Sequence, residues 1–370
     1  MQVQLQVPVL IFAQSGRYLA QSATQAGHTV WVADCFGDID TLNIAERWQK
    51  LPSLHTLTNA HLLELLTTFA NGQECQLVCG GGIEKNFPIL SQLPTNINYI
   101  GNNSDTIKKI KMPQLFFSLL SRHSLPYPST QLFQPEAQTG WLFKQSFGLG
   151  GTHITRLDRE YSAQEGYFQQ HITGISASIL FLADGNKTQV IAINKQLVSD
   201  NQAIPFQLAA IETPFEISQP NHYLLTTAID SITKETGLKG LNSLDFILDK
   251  HDQLFILEVN PRPSASIELV DHELIFQQHI QACRGTLPSE TRATPSHYAG
   301  LYYLYAPQTV TIPLNMVWPL QSHDQPHAGT VIEIHQPICT IMVTELDQQR
   351  CRQKQHLLSL EIMQQLTKND

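Results

Sequence analysis

Charge is scarce in this chain. Asp, Glu, Lys and Arg make up 15% of its 370 residues, against roughly 25% in an average soluble domain. The balance is acidic, with 23 Lys and Arg against 32 Asp and Glu. No positive face for a phosphate backbone is expected, which excludes a general nucleic-acid binder. Cysteine is also sparse: Cys35, Cys75, Cys79, Cys283, Cys339 and Cys351 include no C-x-x-C pair and complete no zinc spacing with a histidine. They read as reduced, small buried hydrophobes, so neither a disulfide framework nor a zinc site is expected, and the compartment expected is the cytoplasm. No apolar run approaches the ~18 residues a membrane span needs. The opening MQVQLQVPVLIFAQS has no basic segment before its apolar run, unlike a secretory signal. What is present is enough for packed cores: apolar residues reach 42% and aromatics 8%, and the length suits two or three domains.

The first hundred residues alternate strand and helix patterns. Val7 to Ala13 has the length and apolarity of a strand, Arg17 to Ala26 reads as a helix closed by Gly27, and Thr29 to Asp34 returns as a strand. A helix over Asn59 to Asn71 stops at Gly72, and Gln76 to Cys79 is a third strand ending in Gly80-Gly81-Gly82. This is a small α/β domain with a parallel sheet. A dinucleotide site at its first turn lacks the three-glycine fingerprint, because Gly16 stands alone. A plain scaffold unit is the simpler reading. A helix start at Ser15-Gly16-Arg17 that holds an anionic substrate group is a third.

A helical stretch runs from Asp105 to Arg122, with Pro113 best placed in the first turn of a helix. The texture then turns to strands: Trp141 to Gln145, His153 to Arg156, Tyr167 to Ile172, Ser176 to Ala183 and Gln189 to Lys195. His222 to Thr236 reads as an amphipathic helix, and the chain beyond about residue 295 as a closing β-rich segment.

Two segments carry chemistry. In LNSLDFILDKHDQLFILEVNPRP, residues 241 to 263, two apolar strands flank a turn at Asp249-Lys250-His251-Asp252. A side-chain period of two places Leu254, Ile256, Glu258 and Asn260 on one face, with Asp245 opposite Ile256 and diagonal to Glu258. Carboxylates that converge in this way repel unless a cation lies between them. An all-oxygen set suits Mg²⁺ shared with phosphate oxygens. Arg262, just past Pro261, offers a rigid positive fork for a phosphoryl or carboxylate group. The competing reading is an edge strand that stops at a proline, with solvated acids. The second segment is WLFKQSFGLGGTHI, where Lys144 sits inside an apolar strand just ahead of Gly148-Leu149-Gly150-Gly151-Thr152. Glycines let backbone N–H groups approach an anion, and Lys144 supplies charge. No Gly-Lys-Ser/Thr follows, so this is not a Walker loop.

Together these features resemble the ATP-grasp superfamily of carboxylate–amine ligases, distantly including biotin carboxylase. The matching residues are Lys144, the loop Gly148 to Thr152, a hinge at Tyr167 to Gly174, and Asp245 with Glu258-Val259-Asn260-Pro261-Arg262. The resemblance implies a mixed α/β and α+β fold, with a Rossmann-like pre-grasp domain over 1–110. Grasp lobes over 111–175 and 176–294 and a β-rich segment over 295–370 would follow. It further implies ATP as cosubstrate and Mg²⁺ (or Mn²⁺) held by Asp245, Glu258 and Asn260. Lys144 would contact phosphates, with Gly148, Gly150, Gly151 and Thr152 covering them and His153 an added contact. Gln169, Gln170, His171 and Ile172 would border adenine, although relatives often carry a glutamate near the position of Gln170. A second phosphate lysine is expected among Lys108, Lys109 and Lys111, and Lys111 is the choice. Arg262 and Lys144 are the expected catalytic residues.

The implied reaction phosphorylates a carboxylate and passes the acyl group to an amine, with small-molecule carboxylate and amine partners, no nucleic acid and no membrane. A homodimer is compatible with it. The texture resembles a group linked to methanopterin- and methylofuran-type one-carbon cofactor synthesis, including tyramine–glutamate ligase. That would require an aromatic acceptor pocket, for which Tyr302, Tyr303 and Tyr305 are available. The rivals are an ATP-dependent carboxylase, for which the chain lacks a Met-Lys-Met biotinylation signal, and a nucleotide-binding regulatory protein without turnover.

Overall fold

The computed structural model describes residues 7–137, 139–157, 161, 166–199, 201–270, 274–289 and 297–367. The expected division at 294/295 lies outside them. Five parallel strands open the chain: β1 (Val9–Phe12), β2 (Val30–Asp34), β3 (Arg47–Lys50), β4 (Cys75–Cys79) and β5 (Ile97–Tyr99), ordered β3-β2-β1-β4-β5. β1 and β2 are buried along their whole length, as continuous apolar runs in a parallel sheet should be. The edge strand β3, RWQK, carries no apolar alternation and was not expected.

The helix Asn59–Ala70 starts where the Thr58 hydroxyl accepts from His61 N and ends at Asn71 with φ +48°. Helices Ser104–Lys111 and Pro113–Arg122 are separated at Met112, with Pro113 in the first turn of the second.

Next comes a small antiparallel sheet of β6 (Thr130–Gln131), β7 (Trp141–Gln145), β8 (Ile154–Arg156) and β9 (Gly166–Gln170), ordered β6-β9-β7-β8. Beyond it lies an eight-stranded antiparallel sheet. Its strands are β10 (Gly174–Asp184), β11 (Thr188–Val198), β12 (Leu208–Thr213), β13 (Lys239–Asp249), β14 (Leu254–Asn260) and β15 (Tyr298–Tyr305), with Pro337–Glu345 and Ser322–His323 at one edge. The closing segment therefore extends this sheet. It also ends on a helix, Gln348–Thr367, that the expectation of a β-rich segment missed. That helix is Gln-rich with a weak apolar stripe, which is why its period does not stand out.

One face of the large sheet packs Ile179, Phe181, Leu244 and Phe246 against Leu225, Ala228, Ile229 and Ile232 of the helix Gln219–Thr236. The opposite face is divided. Leu180, Leu182 and Leu241 join the core beneath helices Arg17–Gln25 and Ile275–Cys283. The strand alternation puts Ser178, Asn194, Gln196, Asp245 and Glu258 on that same face, where the core gives way to polar groups. Among the described residues no helix is long and apolar enough to cross a membrane.

Candidate active site

The hairpin β13–β14 contains a bulge that the simple alternation did not foresee. Asp245 pairs directly with Glu258, while Phe246 pairs with Ile256. Leu257 is the extra residue, and it reverses the sense of the strand. Leu254 and Ile256 therefore enter the core, and Glu258 and Asn260 turn to the other face. The expectation that Ile256 shares a face with Glu258 and sits opposite Asp245 is corrected. The carboxylates end closer together than forecast, as directly opposed neighbours.

Amides and an ammonium surround them. Gln196 Nε2 donates to Asp245 Oδ1 at 3.1 Å and Asn260 Nδ2 to Asp245 Oδ2 at 3.0 Å. Lys111 Nζ donates to Glu258 Oε2 at 2.9 Å and to the Val259 carbonyl at 3.4 Å. Burial, then the Glu258 charge, pushes the Asp245 carboxyl up. At Glu258 burial pushes the same way, but the Lys111 ammonium, by charge and by hydrogen bond, together with the Lys144 charge outweighs it and draws the group down. Of the three candidate lysines, Lys111 is the one at the carboxylates.

Lys144 lies on β7 opposite Tyr167 and Ile154 and is 6% exposed. Among the described residues its ammonium makes no hydrogen bond or ion pair. Burial lowers its pKa, against the raising influence of Glu258 and Asp245. A buried cation in this condition calls for an anion.

The loop after β7 is shaped by close contacts. A side chain at Gly148 would place its Cβ 2.0 Å from His153 Cγ, and one at Gly151 would sit 1.8 Å from the Phe206 carbonyl oxygen. Gly151 also has φ +77°. Leu208 N donates to Gly150 O at 3.0 Å, which ties the loop to β12, while the Thr152 hydroxyl turns back to Leu149 O. The N–H groups of Gly148, Gly150 and Gly151 donate to no acceptor among the described residues. His153 is held neutral, its pKa lowered to about 4 by burial and the nearby Lys144 and Lys111 charges. Lys111, Phe117, Gly148, His153, Tyr167 and Glu258 line one cleft.

The hinge is less open than expected. Gln169 is buried on the Lys144 face and donates through Nε2 to the Thr130 hydroxyl at 3.1 Å. The N–H groups of Gln170 and His171 already donate to Ser129 O and Gly140 O, and the Gln170 side chain is exposed. The His171 ring packs edge-on to Phe206. The Ile172 N–H donates to no acceptor among the described residues and remains for a base.

Arg262 turns toward the first domain. Its Nε donates to Glu84 Oε1 at 2.8 Å and Nη1 to Pro263 O at 3.1 Å, leaving Nη2 without a partner among the described residues. Glu84 is 1% exposed and also accepts from Gly82 N. Sequence reasoning missed Glu84. Its signal was an acid two residues past three glycines at a strand end. Gln196 was missed as well, since nothing in an alternating strand distinguishes it.

The helix start at Gly16 holds no open anion site. Asp34 accepts from Gly16 N, and Asp324 accepts from the Ser15 hydroxyl and Arg17. The chain's own carboxylates fill the place proposed for a substrate anion.

The donor chemistry fits a hard divalent ion. Asp245 and Glu258 supply carboxylates, and Asn260 Oδ1 stays free because its amide nitrogen is the donor to Asp245. Among the described residues no three His, Cys, Asp or Glu side chains cluster to hold a metal alone. An ion here would complete its shell with phosphate oxygens and water, as Mg²⁺ does.

Residues 114–266 match the family model of the ATP-grasp domain. The chain has an ATP-grasp fold. Biotin carboxylase from Campylobacter jejuni superposes with a TM-score of 0.75 at 14% identity, covering 97% of this chain and 92% of that one. An L-amino acid ligase from Bacillus licheniformis gives a TM-score of 0.73 at 16% identity, covering 97% and 98%. N5-carboxyaminoimidazole ribonucleotide synthetase from Thermotoga maritima gives 0.66 at 15% identity, covering 96% and 98%. No curated protein matches the sequence. Within this fold β6 to β9 form the smaller antiparallel sheet, and the larger sheet carries the acidic hairpin β13–β14.

Proposed function

We propose that this protein uses ATP to phosphorylate a small carboxylate and transfers the acyl group to an amine, forming an amide, ADP and phosphate. The reading rests on the opposed Asp245 and Glu258, set near a buried Lys144 ammonium that lacks an anionic partner among the described residues. It is supported by the ATP-grasp fold and by the resemblance to a biotin carboxylase, an L-amino acid ligase and an N5-carboxyaminoimidazole ribonucleotide synthetase.

In this reading Lys144 and the free N–H groups of Gly148, Gly150 and Gly151 hold the phosphates in line with the acceptor carboxylate. Asp245, Glu258 and Asn260 would hold Mg²⁺, which neutralises phosphate charge when bound. The carboxylate oxygen attacks the γ-phosphorus, the bond to ADP breaks, and the amine then displaces phosphate from the acyl phosphate. Arg262 Nη2 and the Lys144 ammonium stabilise charge on the transferring group. The glycine loop over the cleft keeps water from the acyl phosphate.

The finer placement in one-carbon cofactor synthesis draws no support from the tyrosines. Tyr302 donates to Glu212 and Tyr305 to Leu208 O, and Tyr303 packs with Leu301 and Leu269. They are scaffold residues rather than an aromatic acceptor pocket.

The test is Mg²⁺-dependent ADP release with pairs of amino acids and amines, and a bicarbonate arm. ADP formed with an amino acid and an amine is expected. ADP formed with bicarbonate alone would indicate the carboxylase. Tight ATP binding without ADP formation under any condition would indicate the regulatory rival.

A further inference from the structure

Three of the four carboxylate oxygens expected to face the divalent cation already have a partner within the chain. Gln196 and Asn260 amides hold the two oxygens of Asp245. Lys111 Nζ stands 2.9 Å from Glu258 Oε2, and its side chain is only 7% exposed. A divalent ion ligated to that oxygen at about 2.1 Å would lie within a few ångströms of the ammonium, where two positive centres repel strongly in partly buried surroundings.

We propose that Lys111 and the divalent cation compete for Glu258, so that the protein binds metal weakly until nucleotide phosphates draw Lys111 away. The proposal rests on the nucleotide-and-metal reading above. Lys111 is the last residue of the helix Ser104–Lys111, and the chain leaves helical geometry at Met112, with ψ 115°. Its four-carbon stem can pivot about its own rotatable bonds while the backbone stays in place. Gly148 and His153 line the same cleft as Lys111 and Glu258, so phosphates beneath the glycine loop lie within reach of the ammonium. The two lysines then have separate duties. Lys144, without an acidic partner, is a standing phosphate contact, while Lys111 passes from carboxylate to phosphate as the metal enters. Metal and nucleotide become mutually dependent by linkage, each strengthening the other equally.

The test measures Mn²⁺ binding to the full chain without nucleotide, by electron paramagnetic resonance. Lys111→Met and Lys111→Gln are expected to tighten Mn²⁺ by about tenfold or more, and Lys144→Met by less than about threefold. Adding Glu258→Gln to Lys111→Met should abolish the gain. Saturating ADP should tighten Mn²⁺ more in the wild type than in Lys111→Met. Mn²⁺ affinity within about twofold of wild type in both Lys111 variants would overturn the proposal. So would an equal gain in Lys144→Met, which would reduce the effect to general electrostatics. A gain that survives Glu258→Gln would place the metal elsewhere and overturn it too. Failure of the wild type to bind ADP, measured separately, would instead defeat the nucleotide reading.

Discussion

Two regions bury charge, and they do so in opposite ways. At the start of the first helix, Arg17 is 1% exposed and meets Glu268 through two hydrogen bonds, at 2.6 and 2.9 Å, and Asp324 through two more, at 2.9 and 3.1 Å. Gln21 accepts another, and Asp40 stands 3.6 Å away. Every strong donor there is matched, and the bonds join the first domain to the segment after β14 and to the closing strands. In the cleft, among the described residues, Lys144 has no anionic partner, the glycine-loop N–H groups donate to no acceptor, and one ammonium serves Glu258. The lesson is that complete internal pairing marks a clasp, whereas deliberate under-pairing of buried charge marks a place for ions that come from outside.

The contrast predicts opposite consequences for removing a charge. The largest effect is expected for Glu258→Gln, with Mg²⁺-dependent ADP release reduced at least ~10³-fold, or about 4 kcal/mol of barrier, and a melting temperature near wild type. Equal losses of activity and stability would break the distinction. Arg17→Met should do the reverse, costing about 3–5 kcal/mol in urea unfolding because Glu268 and Asp324 are left buried and unpaired. In Lys144→Met the apparent nucleotide affinity should fall roughly tenfold. Stability without nucleotide should hold or rise, because an unpartnered buried ammonium has been replaced by a methylene chain.

A smaller effect concerns pH. His279 accepts from Leu241 N, and burial holds its pKa at about 4, below the ordinary 6.5. The unfolded chain therefore binds the proton first, so stability should fall as pH drops from about 6.5 toward 4. His279→Gln should flatten that part of the pH–stability curve by an amount on the order of 1–3 kcal/mol. The smallest effect is expected at Asn194, 0% exposed with neither amide atom hydrogen-bonded among the described residues. Asn194→Leu should leave stability unchanged or raise it by up to about 1 kcal/mol, read from thermal melting. A drop of several degrees would show a partner that the contrast overlooks.

Much of this was legible in the chain. The apolar runs of β1 and β2 announce a parallel sheet, Pro113 announces the second of two helices, and Asp245 with Glu258 announces the acidic hairpin. What escaped depends on local geometry or distant partners. A one-residue bulge at Leu257 follows no alternation rule, so the facing of Ile256 was misread. Glu84 reaches Arg262 across 178 residues, and Gln196 reaches Asp245 across 49, distances that no local pattern records. The helix Gln348–Thr367 is fastened by Glu212, which accepts from Gln348 and Arg352, and sequence alone shows neither end of that contact.

Calorimetric titration of ADP, with and without Mg²⁺, into the wild type and Glu258→Gln tests the convergence of the acidic hairpin and the buried lysine most directly. Mg²⁺ should strengthen ADP binding to the wild type, and that gain should vanish in Glu258→Gln while the metal-independent part survives. ADP affinity indifferent to Mg²⁺ in the wild type, or a gain of the same size in the variant, would contradict the account.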